Sequence, residues 1–260
     1  MRYTLFLLSV IFLFACQAES TSEATTTSNE DEGWVELFNG ENMDGWTPKF
    51  AGSPLGVNYK NTFSVKDGMI QASYDEYETF NGEFGHLFYE KPYSHYILHV
   101  EYRFVGDQVP DGPGWAFRNS GAMLHCPDPA TMSVEQDFPI SIEAQFLGGP
   151  GDGTTRPTGN LCTPSTNVHL ADTLTTTHCI ESTSPTFDGD QWVSIDLIVY
   201  GDSLIHHVVE GDTVLTYTKL EYGEGGTLPN EGEPIGSGYI SLQAESHPVH
   251  FRRVAIKELK

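Results

Sequence analysis

Basic residues are scarce in this chain. Among 260 residues, 13 Lys and Arg stand against 36 Asp and Glu, a formal charge of −23. A surface of that sign repels phosphate backbones and anionic headgroups, which removes nucleic acid and the lipid surface itself from the partners to consider. The acidic residues are spread along the chain, so solubility is their first use and calcium binding the lesser alternative. Helical periodicity is nearly missing beyond the N-terminus, which argues against a helical or α/β fold. No repeat of fixed period occurs, which argues against a propeller. Cysteines number only four, Cys16, Cys126, Cys162 and Cys179.

What is present begins with a targeting pattern. Arg2 precedes an apolar run over residues 5–14 that stops at Ala15-Cys16, a secretory signal too short to span a bilayer. Leu13-Phe14-Ala15-Cys16 resembles the lipobox of bacterial lipoproteins, so residues 1–15 are expected to be removed and Cys16 lipidated; the alternative is an ordinary cleaved signal with a stray cysteine. Residues 16–32 form a Ser/Thr/Glu-rich tether without large apolar side chains. Residues 33–260 then suit one all-β domain. The expected location is the periplasm or outer-membrane surface of a bacterium, with membrane contact through the lipid anchor only.

Strand signals recur between Gly, Pro and Asp clusters at residues 34–38, 63–66, 69–72, 86–89, 96–104, 121–125, 140–146, 192–200, 204–209, 213–219, 238–244 and 250–258. A dozen strands with little helix predicts a sandwich of two antiparallel sheets. Asp67-Gly68 and Glu210-Gly211 read as hairpin turns, and Trp34, Trp46 and Trp192 read as core. Residues 105–119 and 147–190 are long interruptions of the kind that often carries function. In an oxidising compartment one disulfide and one leftover thiol are expected, with Cys162 paired to Cys179 across a turn-rich segment. The repeated His125-Cys126 and His178-Cys179 dipeptides raise a zinc site as the alternative. Adjacent strand residues face opposite ways, which disfavours it.

Several motifs then stand together in order: "WVELFNGENMDGW" (34–46), "FSVKDGMIQA" (63–72), "NSGAMLH" (119–125), "ISIEAQFLGG" (141–149), "TGNLC" (158–162), "GDQWVSIDLIVYGDSLIHHVVEGDTV" (189–214) and "GYISLQAESHPVHFRRVAIKEL" (238–259). In these the chain resembles the 3-keto-disaccharide hydrolase domain family over residues 34–259. The resemblance implies a concanavalin-like jelly-roll β-sandwich. It also implies action on glycosides or disaccharides already oxidised at C3 by a separate sugar 3-oxidoreductase. The chain departs from the commonest pattern in its cysteine-containing insertion, in Ala122-Met123 and in Arg253.

Parity explains why an apolar strand spends two positions on Glu143 and Gln145. With Ile142, Ala144 and Phe146 inward, both polar side chains share the other face. The same rule turns Ile240, Leu242 and Ala244 inward and Gln243 and Glu245 outward, with His247 continuing their side, and it groups His125 with Gly121 and Met123. One sheet face would then collect His125, Glu143, Gln145, Gln243, Glu245 and His247. A wet face needs no function, and Ser241 is read that way. Glu143 stands out because its neighbours are so apolar.

A ketone at C3 acidifies the C2 hydrogen, so a base, an acid and an enolate stabiliser suffice for elimination of the C1 substituent, followed by hydration. Glu143 or His125 is the expected base, with the other or His247 as acid. Arg118, Asn119, Gln145, Gln243, Glu245 and Arg156 are the expected substrate contacts, with Trp115 as a stacking platform. A divalent cation is the alternative stabiliser. Sandwich endoglucanases resemble one another in a Glu-x-Asp-x-x-Glu strand; residues 143–148 retain only the first carboxylate, which disfavours a two-carboxylate displacement on this strand. The rival reading is a noncatalytic, lectin-like carbohydrate-binding module on the same fold.

Overall fold

Period-two alternation organises the chain into strands, and their pairing buries one face of each. The computed structural model describes residues 32–224 and 231–260. The signal segment, Cys16 and almost all of the tether lie outside the described residues. Residues 33–260 form one compact unit.

In chain order the strands are β1 (Trp34–Glu36), β2 (Trp46–Phe50), β3 (Phe63–Lys66), β4 (Met69–Ala72), β5 (Gly85–Tyr89) and β6 (His95–Phe104). They continue with β7 (Asn119–Cys126), β8 (Ile142–Leu147), β9 (Asn160–Cys162), β10 (Thr166–Leu170), β11 (Thr173–Thr175) and β12 (Cys179–Ile180). The last are β13 (Val193–Tyr200), β14 (Leu204–Val209), β15 (Asp212–Tyr222), β16 (Tyr239–Ala244) and β17 (Val249–Glu258). A 10-stranded sheet runs β11-β10-β15-β14-β13-β6-β17-β4-β3 with β1 added on β17, and a 7-stranded sheet runs β12-β9-β8-β7-β16-β5-β2. The two antiparallel sheets make the jelly-roll sandwich.

Their inner faces meet in one core. Ile142, Ala144 and Phe146 of β8 are all fully buried there, with Leu98, Val100 and Tyr102 of β6. Phe146 and Tyr102 stack at 4.5 Å between ring centroids, which ties the sheets together at the strand that carries Glu143. Both expected hairpin turns form with positive φ at their central residues, Asp67 (54°) with Gly68 (73°) and Glu210 (49°) with Gly211 (87°). That is the type I′ geometry that follows strand twist.

Some expectations give way. The run 46–50 forms β2 despite Pro48. The interval 147–190 holds four short strands, whose two to five residues are too few for a periodic signal; pairing with longer strands holds them. Trp46 is core, with Nε1 donating to the Leu37 carbonyl at 2.9 Å. Trp34 and Trp192 are not. Trp34 stands edge-on to His99, and Trp192 precedes β13 and lies between the guanidinium groups of Arg103 and Arg252 at 4.7 and 4.5 Å. Cation–π contact stabilises a half-exposed ring of this kind. Arg252 pairs with Glu101 and Arg253 with Glu36; both belong to the 10-stranded sheet and neither faces the candidate site.

Cys162 and Cys179 form a disulfide across β9 and β12, with a sequence separation of 17. It removes zinc ligation by His178-Cys179. Cys126 is a buried free thiol. Chain entropy makes a loop of this size worth about 3 kcal/mol. Urea unfolding with and without reductant is expected to differ by about that amount, and equal midpoints would show that strand pairing alone holds β12.

Candidate active site

The outer face of the 7-stranded sheet is the side of β8 that parity leaves to Glu143 and Gln145. Register sets the rest. Glu143 pairs with Met123 on β7 and Cys162 on β9, while Gln145 pairs with Gly121 and Asn160. On β16, Ser241 pairs with Met123 and Leu242 with Ala122, so the next position sets Gln243 beside Gly121. Gln243 in turn pairs with His86 on β5, and His86 with Lys49 on β2.

Gly121 is the position that lets two carboxyl groups meet. A Cβ there would lie 2.8 Å from Glu143 Oε1, so any other residue would displace the carboxyl from its place over β7. In that place it leans from β8 toward β16, whose continuation carries Glu245. Glu143 is 5% exposed and Glu245 3%. Burial holds the Glu143 carboxyl well above its ordinary range. Glu245 is raised by burial first and by the Glu143 charge second, against the opposing charge of Arg156. Burial raises both, and the charge of an ionised Glu143 raises Glu245 further, so the pair tends to hold one proton, which places an acid beside a base.

Both line a cavity of about 390 Å³. Trp115, 55% exposed, and Phe138 form its aromatic side; Phe84 supports both, stacked on Trp115 at 5.7 Å and tilted against Phe138 at 4.9 Å. The Cys162–Cys179 disulfide and His178 also line the cavity. On its polar floor, the Gln145 amide is oriented by its neighbours. Ser182 N donates to Asn160 Oδ1 at 2.9 Å, and Asn160 Nδ2 donates to Gln145 Oε1 at 3.1 Å. That leaves Gln145 Nε2 to donate into the cavity. Asn119 Nδ2 donates to the Trp115 carbonyl at 3.5 Å, while its buried Oδ1 has no hydrogen-bond partner among the described residues.

The remaining expected site residues lie elsewhere. His125 has φ 56°, which breaks the alternation at the end of β7. Cys126 therefore joins Met123 and Phe88 on the outer face, while the His125 ring turns to the other sheet, where Nε2 donates to the Gly201 carbonyl at 3.2 Å beside Tyr96. Burial pushes its pKa down to about 4. His247 follows Ser246, with φ 92°, and its ring stands edge-on to Phe104 and Phe117 at 5.8 and 5.0 Å. Burial and the charges of Arg118 and Arg156 push it to about 4 as well. Neither histidine lines the cavity.

Arg118 is turned outward, donating to the Gly189 carbonyl at 2.6 Å and pairing with Asp190 at 3.3 Å. Arg156 clamps loops: it donates to the carbonyls of Gly148, Arg118 and Trp115 at 2.6, 3.2 and 3.2 Å. It thus positions Trp115 and acts on Glu245 through charge. Gln243 is fully buried on the outer face, beside the cavity rather than in its lining. His178 is expected only as part of the alternative zinc site, and Asn160, Ser182 and Phe138 are not among the expected site residues. Of those three only Asn160, within the "TGNLC" motif, carries a sequence signal. Among the described residues no group of three or more His, Cys, Asp or Glu is placed to hold a metal ion.

Solved structures share this architecture. A provisionally named glycosyl hydrolase from Parabacteroides distasonis superposes with a TM-score of 0.54 at 18% identity, over 87% of this chain and 99% of that one. A Bacillus subtilis protein with a galectin-like fold gives 0.53 at 13% identity, over 83% and 90%. LamA from Zobellia galactanivorans, solved with laminaritriose and laminaritetraose, gives 0.52 at 11% identity, over 86% and 97%. At such identities the fold alone is shared. No curated protein matches the chain. The family model for the 3-keto-alpha-glucoside-1,2-lyase-like domain matches residues 33–257 and supports a carbohydrate-active domain. With nearly the whole sandwich and both carboxyl-bearing strands inside that match, the chain belongs to the 3-keto-alpha-glucoside-1,2-lyase-like domain family.

Proposed function

We propose that this domain is an enzyme that cleaves glycosides carrying a ketone at C3, by elimination across C1 and C2 followed by hydration. The observation that carries the reading is the buried pair Glu143 and Glu245 in one cavity, each carboxyl held above its ordinary range. Glu143, whose carboxyl is raised by burial alone, is the base that takes the C2 proton. Glu245, raised by burial and by its neighbour, keeps a proton for the departing C1 oxygen. Gln145 Nε2, aimed by Asn160, donates to the oxygen on which enolate charge develops. Trp115 supplies a face for the sugar ring.

This assignment moves the acid role from His125 or His247 to Glu245, because those rings point away from the cavity. The substrate requires a separate oxidoreductase to install the ketone. The disulfide fits an oxidising compartment, which supports export; anchoring through Cys16 belongs to the same reading.

The same carboxyl pair would also serve direct displacement on an unoxidised glycoside, and Trp115 would serve a lectin-like module. One experiment separates the three. Chromogenic 3-keto-glucosides of both anomeric configurations and the matching unoxidised glucosides are incubated with the protein, with and without EDTA. Release from the keto substrates alone is expected, and EDTA sensitivity would add a cation to the mechanism. Release from the unoxidised glucosides would point to displacement; binding without release would leave the lectin-like module.

A further inference from the structure

We infer that His86 and Gln243 hold the water that adds to the unsaturated sugar, and so decide whether the reaction ends in hydrolysis or stops at elimination. The inference rests on the elimination reading above.

The two residues are direct cross-strand partners on β5 and β16. Leu87 and Leu242 beside them point into the core, so both side chains are on the outer face with Glu143. Each is fully buried. Both ring nitrogens of His86 and both amide atoms of Gln243 lack a hydrogen-bond partner among the described residues. Four such atoms on directly opposed side chains, whose Cβ atoms lie roughly 5 Å apart, are costly unless something polar stands between them. Burial pushes the His86 pKa down to about 3, so the ring is neutral, with one donor and one acceptor nitrogen. Together with the Gln243 carbonyl and NH2 group it offers the two to four partners a buried water takes.

Position makes that water useful. Gln243 lies beside Gly121, over which Glu143 Oε1 rests. Glu245 follows two residues later, about 7 Å along the strand direction. Phe138 stands edge-on to His86 at 5.7 Å and also lines the cavity, so the pair lies next to the cavity's aromatic side. On the far side Lys49 Nζ donates to the carbonyls of Phe50 and Val134 at 2.8 and 3.1 Å, which closes that edge. A water held there by polar atoms of both side chains stands beside the cavity when the leaving group departs.

The chemistry balances. Elimination leaves the C2 proton on Glu143 and a carboxylate at Glu245. The water then gives a proton to Glu245 as its oxygen bonds to C1, and Glu143 returns a proton to C2 as the double bond is lost. Both carboxyls regain their starting states, and the sum is one 3-keto-glycoside and one water giving the free 3-keto sugar and the alcohol of the leaving group.

The test uses the full chain and a chromogenic 3-keto-glucoside. Aglycone release is followed by absorbance, and unsaturated against hydrated sugar by NMR at early times. His86→Phe and, independently, Gln243→Leu are expected to raise the ratio of unsaturated to hydrated product by about tenfold or more, the rate equivalent of one well-placed hydrogen bond. His86→Gln, which keeps a donor and an acceptor, is expected to restore part of the hydration. Near-ultraviolet circular dichroism checks that each variant is folded. Release with an unchanged product ratio in both folded variants would overturn this inference alone, as would an unaltered chain that makes only the unsaturated sugar. No release by the unaltered chain would overturn this inference and the elimination reading together.

Discussion

Glu143→Gln is expected to lower turnover of a 3-keto-glucoside by about 10²–10⁴, the range that a positioned general base contributes, while leaving the sandwich folded. Glutamine has nearly the same shape, and the space over Gly121 that admits the carboxyl also admits an amide. What is lost is the group that takes the C2 proton in the proposed mechanism. The variant should also be as stable as the unaltered protein or more so, because it removes a desolvated ionisable group and its repulsion on Glu245. Stability released at an active site in this way is a common trade against activity. Kinetics on the keto substrate and thermal unfolding of the same preparations check both halves. Undiminished turnover would remove Glu143 from the mechanism, and a large fall in melting temperature would make it a structural residue.

The second large effect is in the pH dependence. The proposed mechanism requires Glu143 ionised and Glu245 protonated, and both carboxyls are raised. kcat/KM should therefore climb only above the ordinary carboxylate range, then fall when Glu245 loses its proton, giving a bell displaced upward in pH. Stability carries the same signature with a definite sign. Between the ordinary carboxylate value of 4.5 and the raised native values, the folded protein binds more protons than the unfolded chain, so stability falls as pH rises.

Buried histidines act the other way in a lower window. His86 is depressed to about 3, and His125, His207 and His247 to about 4. Each is neutral when folded and charges when unfolded below 6.5, so its contribution is lost as pH falls from 6.5 toward 4. Above pH 6.5 these four histidines contribute a constant amount; what varies is the carboxyl pair together with His99, which is raised against its burial by Asp196 and Glu101 and loses its contribution as pH rises, equally in both proteins. Urea unfolding from pH 6.5 to 9 should show stability declining in the unaltered protein and declining less in Glu143→Gln. Parallel curves would mean that the pair is ionised throughout.

Much of the fold was legible because strand geometry is local. The runs 63–66, 69–72 and 204–209 form strands with those bounds, and the side taken by Ile142, Ala144 and Phe146 follows from alternation alone. The same rule failed for His125 and His247. Each failure has one backbone cause, a left-handed residue at His125 or at Ser246, and neither histidine nor serine announces such a conformation. The aromatic wall was illegible for another reason. Phe138 and Trp115 come from separate loops and are brought together by Phe84.

The site divides along the same line. Composition, turn chemistry and alternation determined an acidic all-β sandwich with Glu143, Gln145, Gln243 and Glu245 on outward positions of their strands. Only the tertiary structure decided which of them meet. The direction of a strand side chain depends on its immediate neighbours with period two, whereas the distance between two side chains depends on the register of strands far apart in the chain. Here the pairing of β16 with β7, and the missing side chain at Gly121, bring Glu143 and Glu245 into one cavity, where burial raises two carboxyls that would be ordinary on an exposed strand.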